Sequence, residues 1–308
     1  MPDTLISRRN PMFPGSGLCD PHLRPVGDTA YLYLTRDKSP DNTAFIMEDW
    51  WVLKSRDLTH WEHACTIRPG GTYLGAGYNT CWAADVAHTE TRSYFYFSDK
   101  NQATGVLVGE SPVGPWTDPL GKPLITFSDL PGADAQTRPY DPGVFIEDNG
   151  TRYLVVGVWE FFLVRLNADG ISFDAPPRKL EILDPVGPYG LGKTDDKPFL
   201  CKRNGLYYLS WGAFYAISES LHGPYQSYGA FITESATDPE LRYTHDPHLH
   251  DRHGSFFNWQ GRWYFIGNDM SQTRSRKFRD CSLAPVCFRA DGTLEPLALT
   301  VSGIWGGA

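Results

Sequence analysis

Apolar residues in this chain fall in short paired runs rather than at helical intervals. Each pair opens on an acidic residue, a Trp or a His, continues as an apolar run, passes a polar turn and re-enters an aromatic run. Asp20-Pro21-His22-Leu23 leads through Gly27-Asp28 to Ala30-Tyr31-Leu32-Tyr33-Leu34, and Trp82-Ala83-Ala84-Asp85-Val86 leads to Tyr94-Phe95-Tyr96-Phe97. Asp141-Pro142-Gly143-Val144-Phe145 passes Asp148-Asn149-Gly150 to reach Tyr153-Leu154-Val155-Val156. Asp196-Lys197-Pro198-Phe199-Leu200 passes Asn204-Gly205 to reach Leu206-Tyr207-Tyr208-Leu209. His253-Gly254-Ser255-Phe256-Phe257 passes Gln260-Gly261 to reach Trp263-Tyr264-Phe265-Ile266. Short runs rich in aromatic and β-branched residues predict strands. Asn-Gly between two of them predicts a hairpin, because both turn residues must accept positive φ. No longer segment carries a helical period.

The leading residues lie about 55 to 65 positions apart, the spacing of propeller blades. The pattern predicts an all-β fold, a five-bladed β-propeller of four-stranded blades. No linker rich in Pro, Gly or Ser divides residues 1–308, so one domain is expected. A propeller gathers the first residues of its innermost strands at one end of a central channel. Asp20, Asp141 and Asp196, far apart in sequence, are therefore expected in one pocket.

Composition narrows the function. The 10 Trp, 16 Tyr and 17 Phe exceed what a core alone needs, and their flat faces suit sugar rings. A net charge of −8 excludes a nucleic-acid binder, which needs clustered cations. The one basic cluster, Arg274, Arg276, Lys277 and Arg279, reads as a solvated loop or a substrate contact. The six cysteines lack Cys-x-x-Cys spacing, which argues against zinc, and those inside apolar runs, such as Cys201 and Cys287, read as small reduced hydrophobes. No run is long enough to span a membrane and residues 1–14 lack the apolar core of a signal peptide, so a cytoplasmic protein without a membrane partner is expected, or a secreted or periplasmic one if a leader has been removed.

Five motifs in order resemble glycoside hydrolase family 43, the five-bladed propellers acting on arabinosides, xylosides and galactosides. They are Asn10-Pro11 with Cys19-Asp20-Pro21, Trp82-Ala83-Ala84-Asp85, Ser111-Pro112-Val113-Gly114-Pro115-Trp116, Tyr140-Asp141-Pro142-Gly143 and Arg252-His253-Gly254-Ser255. The resemblance implies that Asp20 is the general base and that Asp141 tunes the general acid. It also implies that His253 reaches the channel, often toward a calcium ion, and that Arg279 hydrogen-bonds a sugar hydroxyl. The fourth blade departs from the pattern. Counting back from Lys202-Arg203-Asn204-Gly205, where the family carries its acid Glu, reaches Asp196.

Inverting hydrolysis needs an ionised base and a protonated acid about 6.5–9.5 Å apart, with water on the far side of the sugar. A third carboxylate beside the acid raises its pKa. Asp20, Asp141 and Asp196 are the expected base, modulator and acid, with Asp195, Glu160 and His245 as substitutes for the acid. Trp82 either stacks on the sugar or fills the core, His253 is either a metal-linked channel residue or a core histidine, and Asp85 reads as structural. His245-Asp246-Pro247-His248-Leu249-His250 reads as a polar loop at the pocket rim. The expected function is an exo-acting inverting glycosidase releasing terminal arabinofuranose, xylose or a galactose-type sugar from plant or algal glycosides. The alternative is a non-catalytic sugar-binding propeller that has lost the acid Glu.

Overall fold

The structure, a computed structural model, describes residues 4–232 and 251–306. It is built of small antiparallel sheets and contains no α-helix among the described residues, only two short 3₁₀ turns. No helix among those residues is long and apolar enough to cross a membrane. The inner strands of the five blades are Leu18–Val26, Cys81–His88, Gly143–Ile146, Pro198–Arg203 and Gly254–Trp259. Each packs against the inner strands of the blades before and after it, and the fifth packs against the first. The ring of a five-bladed β-propeller is thereby closed.

Both faces of a blade are buried, which explains the unbroken apolar runs. In the second blade the strand Ser93–Asp99 sends Phe95 and Phe97 toward Trp50 and Val52 of the first blade. Tyr94 and Tyr96, one position out of phase, pack with Leu154 and Val156 of the third. The period of two along a strand thus divides one aromatic run between two cores. The predicted hairpins form as the turn chemistry requires, with Asn204 and Gly205 at φ 50° and 83°, and Gln260 and Gly261 at 52° and 82°.

The blades are less uniform than expected. The first gains a fifth strand, Thr4–Ile6, paired outside His60–Ile67. The fifth has only three among the described residues, Gly254–Trp259, Arg262–Asp269 and Asp280–Pro285. Residues 10–12 complete it from the other end of the chain. Met12 N–H donates to Cys281 O at 2.8 Å, while Asn10 exchanges two 2.9 Å bonds with the Leu283 backbone. Asp280 then accepts the N–H groups of Gly15, Ser16 and Gly17. All six cysteines are unpaired, but Cys287 is exposed rather than a core hydrophobe, because it lies beyond the end of its strand.

Candidate active site

Three inner strands open on the same unusual backbone. Asp20, Asp141 and Lys197 each stand immediately before a proline with φ of 48°, 52° and 67°. Left-handed backbone is uncommon outside glycine, and Asp tolerates it better than Lys. In the first blade the pairing register skips between Cys19 and His22, a bulge that re-aims the Asp20 side chain. In backbone terms the opening residue of the fourth blade is Lys197, and Asp196 precedes it by one.

Asp20, Asp141, Asp196, Trp82, His253 and Arg279 all line one open cavity of about 50 Å³ at the channel mouth. Lys197, which sequence reasoning missed, lines it as well. A larger depression of about 530 Å³ lies on the outside of the first blade among Lys54, Arg56, Asp57 and Glu62. No inner-strand opening reaches it, so the smaller cavity is where the chemistry gathers.

Asp20 is buried and fully bonded. Its Oδ1 accepts Arg279 Nη1 at 2.8 Å and Asn268 Nδ2 at 2.7 Å, and its Oδ2 accepts Arg279 Nη2 at 3.1 Å and Thr35 Oγ1 at 3.0 Å. Burial pushes its pKa up, but Arg279, His253 and these donors overcome it and hold the carboxyl at about 2. Arg279 is no surface arginine. It is buried, and Asp37 fixes it through Nε at 3.0 Å and Nη2 at 3.2 Å.

Asp141 is the opposite case. Burial and the nearby Asp20 charge raise it to about 7 against the pull of Lys197, the Ser98 hydroxyl and Arg279. Ser98 Oγ donates to Asp141 Oδ1 at 3.2 Å and accepts the Asp141 N–H at 2.9 Å. Asp20 Oδ1 and Asp141 Oδ2 lie 3.9 and 3.8 Å from His253 Nδ1, so at most about 8 Å separates them, a bound compatible with the spacing of an inverting pair. Asp196 Oδ2 accepts the Tyr140 hydroxyl at 3.0 Å, and its Oδ1 is ion-paired with the Lys197 ammonium. Lys197 Nζ also lies 3.2 Å from Asp195 Oδ2.

The other candidates are accounted for as follows. Asp195 is buried against Lys197, and Glu160 is tied to Lys179, Thr137 and the Asp134 N–H beside the third blade; neither lines the cavity. His245 and the rest of its cluster lie outside the described residues. Trp82 is half-buried on the cavity wall, its ring edge-on to Phe45 and Tyr140. Of the basic cluster, Arg276 pairs with Asp251, and Lys277 lies 3.1 Å from the centre of the Phe45 ring.

Below the cavity the channel is already filled. Asp85 accepts Arg24 at both carboxylate oxygens and the N–H groups of Val86 and Val144, with His22 Nδ1 3.0 Å away. Arg24 also donates to Val144 O, and His22 Nε2 meets His253 Nε2 at 2.9 Å. Calcium takes six to eight oxygen ligands. Here the channel carboxylate is spent on N–H donors, one nitrogen of His253 is spent on His22, and a guanidinium supplies the positive charge. No group of three or more His, Cys, Asp or Glu among the described residues is placed to hold a metal. A calcium ion at His253 would have to draw most of its oxygen ligands from water.

Residues 8–294 match the signature of glycosyl hydrolases family 43. The chain belongs to that family. Among family 43 relatives, an arabinoxylan arabinofuranohydrolase of Bacillus subtilis (strain 168) is 25% identical over 349 residues, 97% of this chain and 66% of that protein. A namesake from Paenibacillus polymyxa is 25% identical, covering 91% and 48% respectively. The chain therefore spans about two thirds of one and half of the other. A β-D-galactofuranosidase of Aspergillus niger is 26% identical, covering 96% and 87%. In fold, the chain resembles a β-xylosidase/α-arabinofuranosidase from a compost metagenome, solved with xylotriose in a calcium-free form, at a TM-score of 0.75, 21% identity and coverage of 96% and 98%. The Bacillus subtilis family 43 arabinoxylan arabinofuranohydrolase, solved with cellotetraose, superposes at 0.76 with 23% identity, covering 96% and 68%.

Proposed function

We propose that this chain is an exo-acting glycoside hydrolase that works with inversion and releases a terminal arabinofuranose, xylose or galactose-type sugar. The observation that carries the reading is the split between two buried carboxyls of one cavity, Asp20 held at about 2 and Asp141 pushed to about 7. Environments that push two such groups apart assign base and acid chemistry within one site. The names of the arabinofuranohydrolase and galactofuranosidase relatives support the sugar class.

In this reading a water held on the far side of the anomeric carbon gives its proton to Asp20, and its oxygen bonds to that carbon. The glycosidic bond breaks with its electron pair left on the departing oxygen, which takes a proton from the acid on the opposite wall. The test is a panel of aryl arabinofuranosides, xylosides and galactosides read for released phenol, with the first-formed anomer followed by NMR. Asp20→Asn is expected to cost about 10²–10⁴-fold in turnover while sugar still binds, since an amide cannot take the water's proton. Turnover above about a tenth of wild type, or a retained anomer, would remove Asp20 from this role.

One observation favours the second reading, a sugar-binding propeller without turnover. Asp196 stands where the family's acid Glu is expected, and an ammonium is set against it. Heat of binding without phenol release from any aryl glycoside would decide for that reading.

A further inference from the structure

The rim of the cavity carries an aromatic pair that no step of the hydrolysis uses. Between the third and fourth blades, the strands Val186–Gly187 and Gly190–Leu191 form a small hairpin with Pro188-Tyr189 as its turn. Tyr189 at the tip is 50% exposed, and its ring meets Trp159 edge-on, with 5.1 Å between centres. Trp159 is only half-buried, and its backbone is left-handed at φ 66°, an outlier for so bulky a side chain. Strain of this kind persists only where neighbours fix it. Here Trp159 N–H donates to Asp195 O at 3.1 Å, and Thr194 Oγ1 donates to Trp159 O at 2.8 Å.

The pair is anchored to the cavity from two sides. Trp211 Nε1 donates to Val186 O at 2.9 Å, and Gly192 N–H donates to Pro185 O at 2.7 Å. A Cβ on Gly187 would lie 2.7 Å from both Lys193 O and Thr194 O, so the hairpin rests on the segment that leads into Asp195 and Asp196. On the other side the Tyr189 hydroxyl lies against the Arg276 guanidinium, which pairs with Asp251 of the cavity lining. Burial raises the pKa of the Tyr140 hydroxyl on the same lining, and Asp141, Asp195, Tyr189 and Asp251 stand close enough to add to it. The two rings are therefore a fixed ledge beside the mouth.

We propose that Trp159 and Tyr189 bind the leaving side of the substrate, with the pyranose ring that bears the departing oxygen resting on the Tyr189 ring. The proposal rests on the reading of the chain as an exo-acting hydrolase. In that reading the released sugar is terminal, so any sugar left outside the cavity belongs to the leaving group. A pyranose presents a face of C–H groups edged by hydroxyls. The exposed ring covers the face, and the Arg276 guanidinium beside it donates to the edge. Rings already held in place by the hairpin and by Asp195 lose little freedom when they bind. Tyr189 thus determines specificity for what is left behind, not for what is released.

The experiment presents the sugar cleaved fastest in two forms, as its methyl glycoside and attached to xylobiose, to wild type, Tyr189→Ala and Tyr189→Phe. The ratio of kcat/KM on the xylobiose form to that on the methyl form should fall about 3- to 10-fold in Tyr189→Ala, the range of one aromatic contact. It should stay within about twofold of wild type in Tyr189→Phe, which keeps the ring. In the Asp20→Asn background, calorimetry should show the xylobiose form bound more weakly by the same factor once Tyr189→Ala is added. An unchanged ratio in Tyr189→Ala overturns the proposal, as does a Tyr189→Phe ratio that falls as far as the alanine one. A dimer of the wild type that Tyr189→Ala dissolves, seen by sedimentation, would assign the ledge to a second copy of the chain and overturn it too. If circular dichroism shows that Tyr189→Ala does not fold, Tyr189→Leu, which keeps bulk without a flat face, is read in its place by the same criteria. Failure of the underlying reading shows separately, as no turnover of either form or as products cut from the interior of a chain.

Discussion

At the scale of single residues, the cavity holds two buried carboxyls, Asp20 and Asp141, in opposite electrostatic settings. Burial penalises charge on both; at Asp20 the bonds from Arg279, Asn268 and Thr35 overcome it, whereas at Asp141 the pull of Lys197, the Ser98 hydroxyl and Arg279 does not. The pH dependence follows with a definite sign. In the proposed reading Asp20 acts deprotonated and is ready above about 2, whereas the proton that Asp141 holds in the cavity is lost above about 7. For the free protein, kcat/KM should be flat through mildly acid pH and fall about tenfold per unit above the alkaline pKa. A profile rising from pH 7 to 9 would contradict the assignment. Asp20 and Asp141 were legible in the sequence because an acid before proline at a strand start is a rare, repeated pattern. Lys197 was not. Counting back from the Asn204-Gly205 turn led to Asp196, and only the backbone shows that the equivalent position is the next residue.

Strands and turns explain why the motif around Asp141 includes a glycine. A Cβ on Gly143 would lie 2.4 Å from Pro198 O and 3.2 Å from the Phe199 Cα, both on the inner strand of the next blade. The two strands approach too closely for a side chain, and this approach brings Asp141 beside Lys197. Gly143→Ala should cost about 1–3 kcal/mol from overpacking and also lower activity by moving Asp141. Urea unfolding and the rate on the best aryl glycoside measure the two effects, and an alanine variant equal to wild type in both would discount the contact. The inner hairpins were legible because aromatic runs flank turns of fixed chemistry. Thr4–Ile6 and the completion of the fifth blade by residues 10–12 were not, since an isolated segment of three residues has no period to read and borrows its partners from across the ring.

For the whole molecule, closure depends on hydrogen bonds between distant parts of the chain. Asn10 is buried, and its side chain bonds Leu283 twice and Thr300 once. Asn10→Ala leaves buried backbone groups unmet and should cost about 2–4 kcal/mol, read as a lower urea midpoint with an unchanged slope. A midpoint within error of wild type would show that the seam is held elsewhere. The channel centre ties the blades from inside. Arg24 and His22 of the first blade, Asp85 of the second, the Val144 backbone of the third and His253 of the fifth form one bonded group, with Phe199 of the fourth edge-on to His22.

The seam has one more consequence. Asn10 N–H donates to Val301 O at 2.8 Å, so the two ends of the propeller chain are neighbours. A ring whose ends touch has no required first blade. A circular permutant, with residues 4 and 306 joined by a glycine-serine linker and new termini cut at the exposed turn around Gly121, keeps every described strand, Thr4–Ile6 included. It should fold to the same far-ultraviolet spectrum and cleave the same substrate, with its blades read out in the order three, four, five, one, two.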